Sequence, residues 1–105
     1  MAEIIWSPEA SEDLAQIAEY ISRDSPSRAG RVLESIIMAT ERLIEFPDSG
    51  RVIPEINEKT KKEIFWKSYR IMYEIKSHKI YIAAIIHSSI DFDWDGQFPH
   101  PPELK

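Results

Sequence analysis

The first half of the chain places apolar residues at the spacing of helices that bury one face. A first run repeats at i, i+3, i+4 and i+7, the period of a single helical stripe. Its members are Leu14, Ile17, Ala18 and Ile21. Ser7 and Pro8 precede this run and suit the N-cap and the first position of a helix. The pattern therefore predicts a helix that begins at "SPEA".

A second and longer stripe follows the polar stretch "RDSPSRAGR". Ser25 and Pro26 repeat the cap and the proline of the first helix. The inward stripe consists of Val32, Leu33, Ile36, Ile37, Thr40, Leu43 and Ile44. Pro47 cannot continue a helix, and "FPDSG" has the composition of a turn. The second helix is therefore predicted to end at this turn.

The remaining segments are rich in β-branched and aromatic residues, which favours strands. They are "EIIW" (3–6), "RVIPEI" (51–56), "EIFWK" (63–67), "YRIMYEIK" (69–76) and "KIYIAAIIH" (79–87). Pro54 confines the second of them to a short piece at a sheet edge. The order β-α-α-β-β-β predicts an α+β fold, in which a two-helix hairpin packs on one face of a small antiparallel β-sheet.

Ser77 and His78 separate the last two strands and predict a two-residue hairpin loop. In the register set by that loop, Ile71 faces Ala84. The face predicted to carry the helices holds Tyr69, Ile71, Tyr73, Ile75, Ile80, Ile82, Ala84 and Ile86. The other face holds Arg70, Met72, Glu74, Tyr81, Ala83, Ile85 and His87. Because no helix is left to cover this second face, we expect it to be open and to carry the function.

Length and composition fit a single domain of 105 residues. We expect the domain to span residues 1–92 and to be followed by an acidic, Pro-rich tail at 93–105. The absence of cysteine excludes disulfides and thiolate metal sites, and it fits a reducing cytoplasm. No signal peptide, membrane span, metal site or cofactor is expected from the sequence.

The basic residues are concentrated in one part of an acidic chain. The net charge is −5, yet eight basic and four acidic residues between positions 51 and 79 give that stretch a charge of +4. Two interpretations are open. The segment could meet a localised anionic partner, or it could form an ordinary mixed surface in contact with solvent.

Arg70 and His87 are the candidates for chemistry at the predicted open face. Arg70 could act on phosphate or a protein partner, or it could be structural, either by pairing with Glu74 or by covering Ile85 with its stem. His87 could serve as a general acid or base beside Arg70, since imidazole titrates near neutrality, or it could be structural.

Several lysine and aromatic residues are each open to two interpretations. Lys59, Lys61 and Lys62 could contact an anion or simply be solvated, and Trp66 could stack on a ligand or pack in the core. Trp94 and Phe98, in the tail, are expected either to fold back onto the sheet or to join a protein interface.

Several motifs in order resemble the RelE/ParE superfamily of toxins from bacterial type II toxin–antitoxin modules, on its ParE-like, plasmid-stabilisation side. They are "WSPEA" at 6–10, "LIEFPDSGR" at 43–51, "EIFWKSYRIMYEI" at 63–75 and "IAAIIH" at 82–87. The resemblance covers roughly residues 3–92. It implies a two-helix hairpin on a small antiparallel sheet. It also implies a hetero-oligomer with a cognate antitoxin, which would carry the DNA-binding domain, so that this chain alone would not bind DNA.

The resemblance implies one of two activities. RelE-like members cleave mRNA on the ribosome without a metal, and Arg70 matches the arginine of their "YR" motif. Lys61, Lys62 and Lys67 lie near their other basic positions. However, no arginine follows His87 and no tyrosine follows Tyr81 in this chain.

Three acids, Asp91, Asp93 and Asp95, lie where those nuclease residues would be expected. ParE-like members lack the nuclease set and inhibit DNA gyrase by protein contact, and this chain fits them better. An inactive scaffold that only binds the antitoxin is a third interpretation. The predicted contact residues for antitoxin or target are Lys61, Lys62, Trp66, Lys67, Arg70, Tyr81 and His87.

Overall fold

A computed structural model describes residues 2–89, so the predicted tail with Trp94 and Phe98 lies outside the described residues. The elements are β1 (Glu3–Trp6), α1 (Pro8–Ser22), α2 (Pro26–Glu41), a short 3₁₀ helix (Arg42–Ile44), β2 (Arg51–Val52), β3 (Lys61–Trp66), β4 (Tyr69–Lys76) and β5 (Lys79–His87). The predicted α+β fold and its element order are confirmed.

Both helices begin where the Ser-Pro pairs predicted. The Ser7 hydroxyl accepts a hydrogen bond from the Ala10 backbone N–H at 2.9 Å. The Ser25 hydroxyl accepts one from the Arg28 backbone N–H at 3.3 Å. Each cap satisfies a backbone donor that the first turn of a helix leaves without a partner.

The five strands form one sheet in the order β1-β5-β4-β3-β2. β1 runs parallel to β5, and the other neighbours are antiparallel. The sheet is therefore mixed rather than wholly antiparallel, because the first strand joins the edge beside the last one. The two helices pack on one face, over a core that includes Ala10, Val32, Ile36, Leu43, Ile71, Tyr73, Ile80, Ile82 and Ile85.

Beyond the end of β1, side chains of α1 and of its N-cap form hydrogen bonds with backbone groups at the edge of β5. The Ser7 hydroxyl donates to the Ala83 carbonyl at 3.0 Å. Two residues further along β5, the Asp13 carboxylate accepts a hydrogen bond from the Ile85 backbone N–H at 3.0 Å. Partial burial raises the pKa of Asp13. These contacts fix α1 against the free edge of the strand.

Tyr73 anchors the turn that follows the helices. Its hydroxyl donates to the Pro47 carbonyl at 2.8 Å and accepts from the Gly50 N–H at 3.1 Å. Burial raises the pKa of Tyr73 to about 12. A Cβ atom on Gly50 would lie 2.6 Å from both the Glu63 carbonyl oxygen and the Tyr73 hydroxyl. The glycine of "FPDSGR" is therefore required by this close approach.

The register of the β4–β5 hairpin shifts in its middle. Next to the two-residue loop, Tyr73 pairs with Ile82, as predicted. A β-bulge between Met72 and Tyr73 then moves the pairing by one residue, so that Ile71 pairs with Ile85 and not with Ala84. A bulge sets two residues of one strand against one of the other and so reverses the side that each later residue faces.

The bulge corrects the predicted faces of β5. Ile85 joins the core beneath the helices, while Ala84 and Ile86 move to the other face. His87 pairs with Tyr69 and therefore shares the helix-bearing side of the sheet. The prediction that His87 lies on the same face as Arg70 was wrong for this reason.

The second face of the sheet is covered where the sequence predicted an open surface. Ile53 is fully buried in a second apolar cluster with Met72, Ala83 and Ala84, and Ile56 packs against the same cluster. Both isoleucines belong to the connection between β2 and β3. This connection therefore acts as a third layer that closes the middle of the face.

Candidate functional site

Arg70 lies in a chain of alternating charges beneath the β2–β3 connection. Its Nε donates to Glu63 Oε1 at 2.6 Å. Its two terminal nitrogens donate to the two carboxylate oxygens of Glu55 at 2.9 and 2.8 Å. Arg51 Nε donates to the second oxygen of Glu63 at 2.6 Å. Two arginines and two glutamates thus form one hydrogen-bonded network.

Strand pairing brings most of this network together. Arg51 lies directly opposite Glu63 across β2 and β3, and Phe65 lies opposite Arg70 across β3 and β4. Residues two apart on a strand share a face, so Glu63 is the diagonal neighbour of Arg70. Only Glu55 comes from outside the strands. It closes the network from the β2–β3 connection.

The network neutralises the Arg70 cation. The Arg70 side chain is 8% exposed and that of Glu63 is wholly buried. Hydrogen bonding from Arg70 lowers the pKa of Glu55, and hydrogen bonding to Glu55, together with Glu63, raises the pKa of Arg70. The pairing with Glu74 that the sequence suggested is replaced by pairing with Glu55 and Glu63. Arg70 is consequently a buried ion-pair partner and not a free surface cation.

His87 lies away from Arg70, at the end of the sheet near α1. Its ring meets the Tyr69 ring edge-on with centroids 5.3 Å apart, and its Nδ1 lies 2.7 Å from the Ser89 hydroxyl. It borders a cavity of about 310 Å³ that Asp13 and Tyr20 also line. Arg70 and His87 occupy opposite faces, so the sheet does not bring them together as a catalytic pair.

The other predicted contact residues divide between the two faces. Lys61 forms ion pairs with Glu58 and, at 3.6 Å, with Glu74. Tyr81 is buried on the same face as these residues, opposite Glu74 on β4. Lys62 and Trp66 are half-buried on the alternate positions of β3, which face the helices. The seven predicted residues therefore do not form one continuous surface.

Trp66 and Lys67 belong to a basic cavity that the sequence analysis missed. The cavity has a volume of about 360 Å³ and lies between α2 and the tip of the β3–β4 hairpin. Its lining residues are Arg28, Arg31, Val32, Ser35, Trp66 and Lys67. We call this site the basic pocket. The i, i+3 spacing of Arg28 and Arg31 on one helix face was the available signal, but nothing local linked it to a turn more than thirty residues away.

The cations of the basic pocket have no carboxylate partner among residues 2–89. The ion pairs in this part of the chain involve Arg23, Arg51, Lys61 and Arg70 instead. The Lys67 ammonium lies over the Trp66 ring, 5.3 Å from its centroid. The pocket thus offers concentrated positive charge beside an aromatic surface, a combination that suits an anionic ligand with an aromatic or apolar part.

Within the described residues, no three His, Asp or Glu side chains are grouped so that they could hold a metal ion. No helix in the same part of the chain is long and apolar enough to cross a membrane.

Comparisons with known proteins find one family model and relatives that are named as toxins. A family model described as the ParE toxin of the type II toxin–antitoxin system, parDE, matches residues 4–92. Toxin RelE2 of Caulobacter vibrioides is 28% identical over 89 residues, which cover 85% of this chain and 98% of the relative. The protein Y4kP of Sinorhizobium fredii is 34% identical over 87 residues, which cover 81% and 86% of the two chains.

A solved structure shares the fold. It is described as the chromosomal ParDE TA system from P. aeruginosa and superimposes with a TM-score of 0.70 at 19% sequence identity. The match covers 83% of this chain and 96% of the other. At this identity the likeness concerns the arrangement of helices and strands.

Proposed function

Because the chain belongs to the ParE toxin family of type II toxin–antitoxin systems, we propose that it is a toxin that inhibits growth by contact with a protein target such as DNA gyrase. A cognate antitoxin would bind and neutralise it in the cytoplasm. The protein would then act as a binding module rather than as an enzyme. Its accessible contact residues would include Lys62, Trp66 and Lys67.

The state of Arg70 is the observation that carries this proposal. A nuclease would need its guanidinium free to stabilise the charge that develops on a phosphate. Here the guanidinium already donates to the carboxylates of Glu55 and Glu63. Removing an arginine from a buried pair leaves an uncompensated carboxylate, which is strongly unfavourable. A structural role for Arg70 therefore supports a protein-contact mechanism.

A second candidate is ribosome-dependent cleavage of mRNA. The relative named toxin RelE2 and the matching "YR" motif favour it. In this mechanism the β2–β3 connection would have to move, so that Glu55 releases Arg70. The side chain of Glu55 is 31% exposed, which makes it the weaker of the two anchors. A third candidate is an inactive scaffold that only binds the antitoxin. It differs from the other two because it would not be toxic.

Expression in bacteria distinguishes these candidates. We expect arrested growth and altered plasmid supercoiling when the protein is produced alone, and recovery when the antitoxin encoded beside it is co-expressed. Transcript cuts at ribosome-bound codons, with unaltered supercoiling, would support the nuclease instead. Normal growth at every expression level would leave only the scaffold.

The variant Glu55→Gln makes the comparison sharper. It weakens the hold on Arg70 without removing the arginine, so a nuclease should become more active. A gyrase inhibitor should keep its potency. Glu58→Gln is the matched control, because Glu58 lies in the same connection but pairs with Lys61. Increased transcript cleavage in Glu55→Gln alone would overturn the protein-contact proposal.

A further inference from the structure

The basic pocket lies beside the point where the chain leaves its last strand. Ser88 N–H donates to the Ser68 carbonyl at 2.6 Å. Ser68 follows Lys67 directly, and Lys67 lines the pocket. The residues after Ser89 therefore start next to the wall of the pocket that Trp66 and Lys67 form.

The residues that follow Ser89 in the sequence carry the negative charges that the pocket lacks. The sequence "DFDWD" at 91–95 alternates three carboxylates with two aromatic rings. We call it the acidic–aromatic segment. Its three negative charges equal in number the three cations of the pocket, and its rings can lie against Trp66 and Val32.

The connection between the two is long enough. An extended chain spans about 3.3–3.6 Å per residue. Residues 91–95 can therefore reach points from about 7 to about 21 Å beyond Ser89, a range that includes the adjoining pocket. Tethering also removes most of the entropic cost of association, since a short linker holds a ligand at a local concentration of about millimolar.

From this juxtaposition we infer that the acidic–aromatic segment, residues 91–95, binds the basic pocket of the same molecule. The carboxylates face Arg28, Arg31 and Lys67, and an aromatic ring packs beside Trp66. The segment then acts as a built-in competitor. An acidic segment of another protein has to displace it before reaching these cations.

A peptide with the sequence of residues 90–96 tests this binding in trans. Its affinity is measured by fluorescence anisotropy against the full chain and against the full-chain variant Asp91→Asn/Asp93→Asn/Asp95→Asn. If the peptide has a dissociation constant of about 0.5 mM and the tethered segment a local concentration of about 1 mM, the variant binds it about threefold more tightly. Raising the salt concentration should weaken this binding.

Further variants locate the site. In the triple-Asn background, Arg28→Ala/Arg31→Ala/Lys67→Ala should reduce peptide affinity at least about tenfold, since a charge pair in a partly enclosed site is screened less than one in water. Lys59→Ala/Lys76→Ala is the matched control. Both lysines are exposed and neither lines the pocket, so peptide affinity should change less than about twofold.

Each contrary result has a distinct meaning. Equal affinities of the wild type and the triple-Asn variant would show that the pocket is unoccupied, and undetectable peptide binding would show that it does not recognise the segment. Either would overturn the inference. A wild-type dimer that dissociates in the triple-Asn variant would identify a second copy as the occupant, and would also overturn it. All these assays use purified protein, so a failure of the proposed toxin activity would leave their outcome unchanged.

Discussion

The Glu63 carboxylate, with no exposed side-chain surface, accepts the Nε–H of Arg70 at 2.6 Å from the neighbouring strand. The same carboxylate accepts a hydrogen bond from Arg51 with its other oxygen. It is therefore shared by two cations from two different strands. Glu63 connects the short edge strand β2 to the centre of the sheet, and Glu55 only closes the network from outside.

Replacing Glu63 with alanine should destabilise the protein by about 3–5 kcal/mol, because Arg70 would keep a buried charge without its best-enclosed partner. Urea denaturation followed by circular dichroism measures this. The control Glu58→Ala should change the free energy of unfolding by less than about 0.5 kcal/mol, since Glu58 is exposed. Substituting both partners, Glu63→Met with Arg70→Met, should recover part of the loss. A double variant as unstable as the sum of the single changes would contradict the ion-pair explanation.

The ionised Glu55 carboxylate should contribute stability that the protein loses in acid. Hydrogen bonding from Arg70 lowers its pKa from the usual 4.5. In the folded state the carboxylate thus holds its proton less tightly than in the unfolded state. Its contribution is complete above pH 4.5 and disappears as the pH falls through the folded pKa. Because the side chain is partly exposed, we expect at most about 1 kcal/mol.

The matched experiment compares the wild type with Glu55→Gln over pH 2.5–7, using the midpoint of urea unfolding. The variant should show a smaller loss of stability below about pH 4.5. Asp13 acts in the opposite direction, because its raised pKa makes the folded state bind the proton more tightly. Identical acid slopes in wild type and variant would show that the Glu55–Arg70 contact does not form in solution.

Gly50→Ala should destabilise the protein, because the added methyl group would meet the Glu63 backbone and the Tyr73 hydroxyl at 2.6 Å. Backbone oxygen cannot move aside cheaply, so the expected loss is about 1–3 kcal/mol. Thermal unfolding provides the measurement. Gly30→Ala is the control, since a Cβ there has no neighbouring atom within 4 Å. It should stabilise α2 by up to about 1 kcal/mol, because alanine favours a helix. Equal effects at the two glycines would argue against the tight turn.

The sequence was informative where structure depends on neighbouring residues. The Ser-Pro helix starts follow from local chemistry, and the two-residue loop of the last hairpin follows from the spacing of the two strand patterns. The apolar stripes determine which helix faces are buried. The bulge beside Met72 is different. No local pattern marks it, and the strand beyond it contacts a distant element, since the Asp13 carboxylate of α1 accepts a hydrogen bond from the Ile85 N–H. Without the bulge, strict alternation placed His87 on the wrong face.

The ion-pair network and the basic pocket were missed for a related reason. Glu55 reaches Arg70 only because Ile53 and Ile56 bury themselves on the second face and carry the connection over it. The sequence predicted "RVIPEI" (51–56) as a short strand piece at a sheet edge, which gave no sign that it crosses the second face. Arg28 and Lys67 likewise meet through packing of α2 on the sheet. Contacts between distant segments depend on the tertiary structure, which the spacing of apolar and polar residues along the sequence does not reveal.

The hairpin loop itself leads to the last prediction. Ser77 and His78 have φ values of 52° and 62°, the left-handed region that a two-residue loop of this kind requires. Neither residue favours that region, whereas asparagine and glycine adopt it readily. The double substitution Ser77→Asn/His78→Gly should therefore stabilise the protein by about 0.5–1.5 kcal/mol and raise the thermal midpoint by several degrees. Both side chains are exposed, so no packing is lost.

As a control, Ser77→Pro/His78→Gly should be strongly destabilising, because proline fixes φ near −65°. A lower midpoint for the Asn-Gly variant would mean that the loop does not have this conformation in solution.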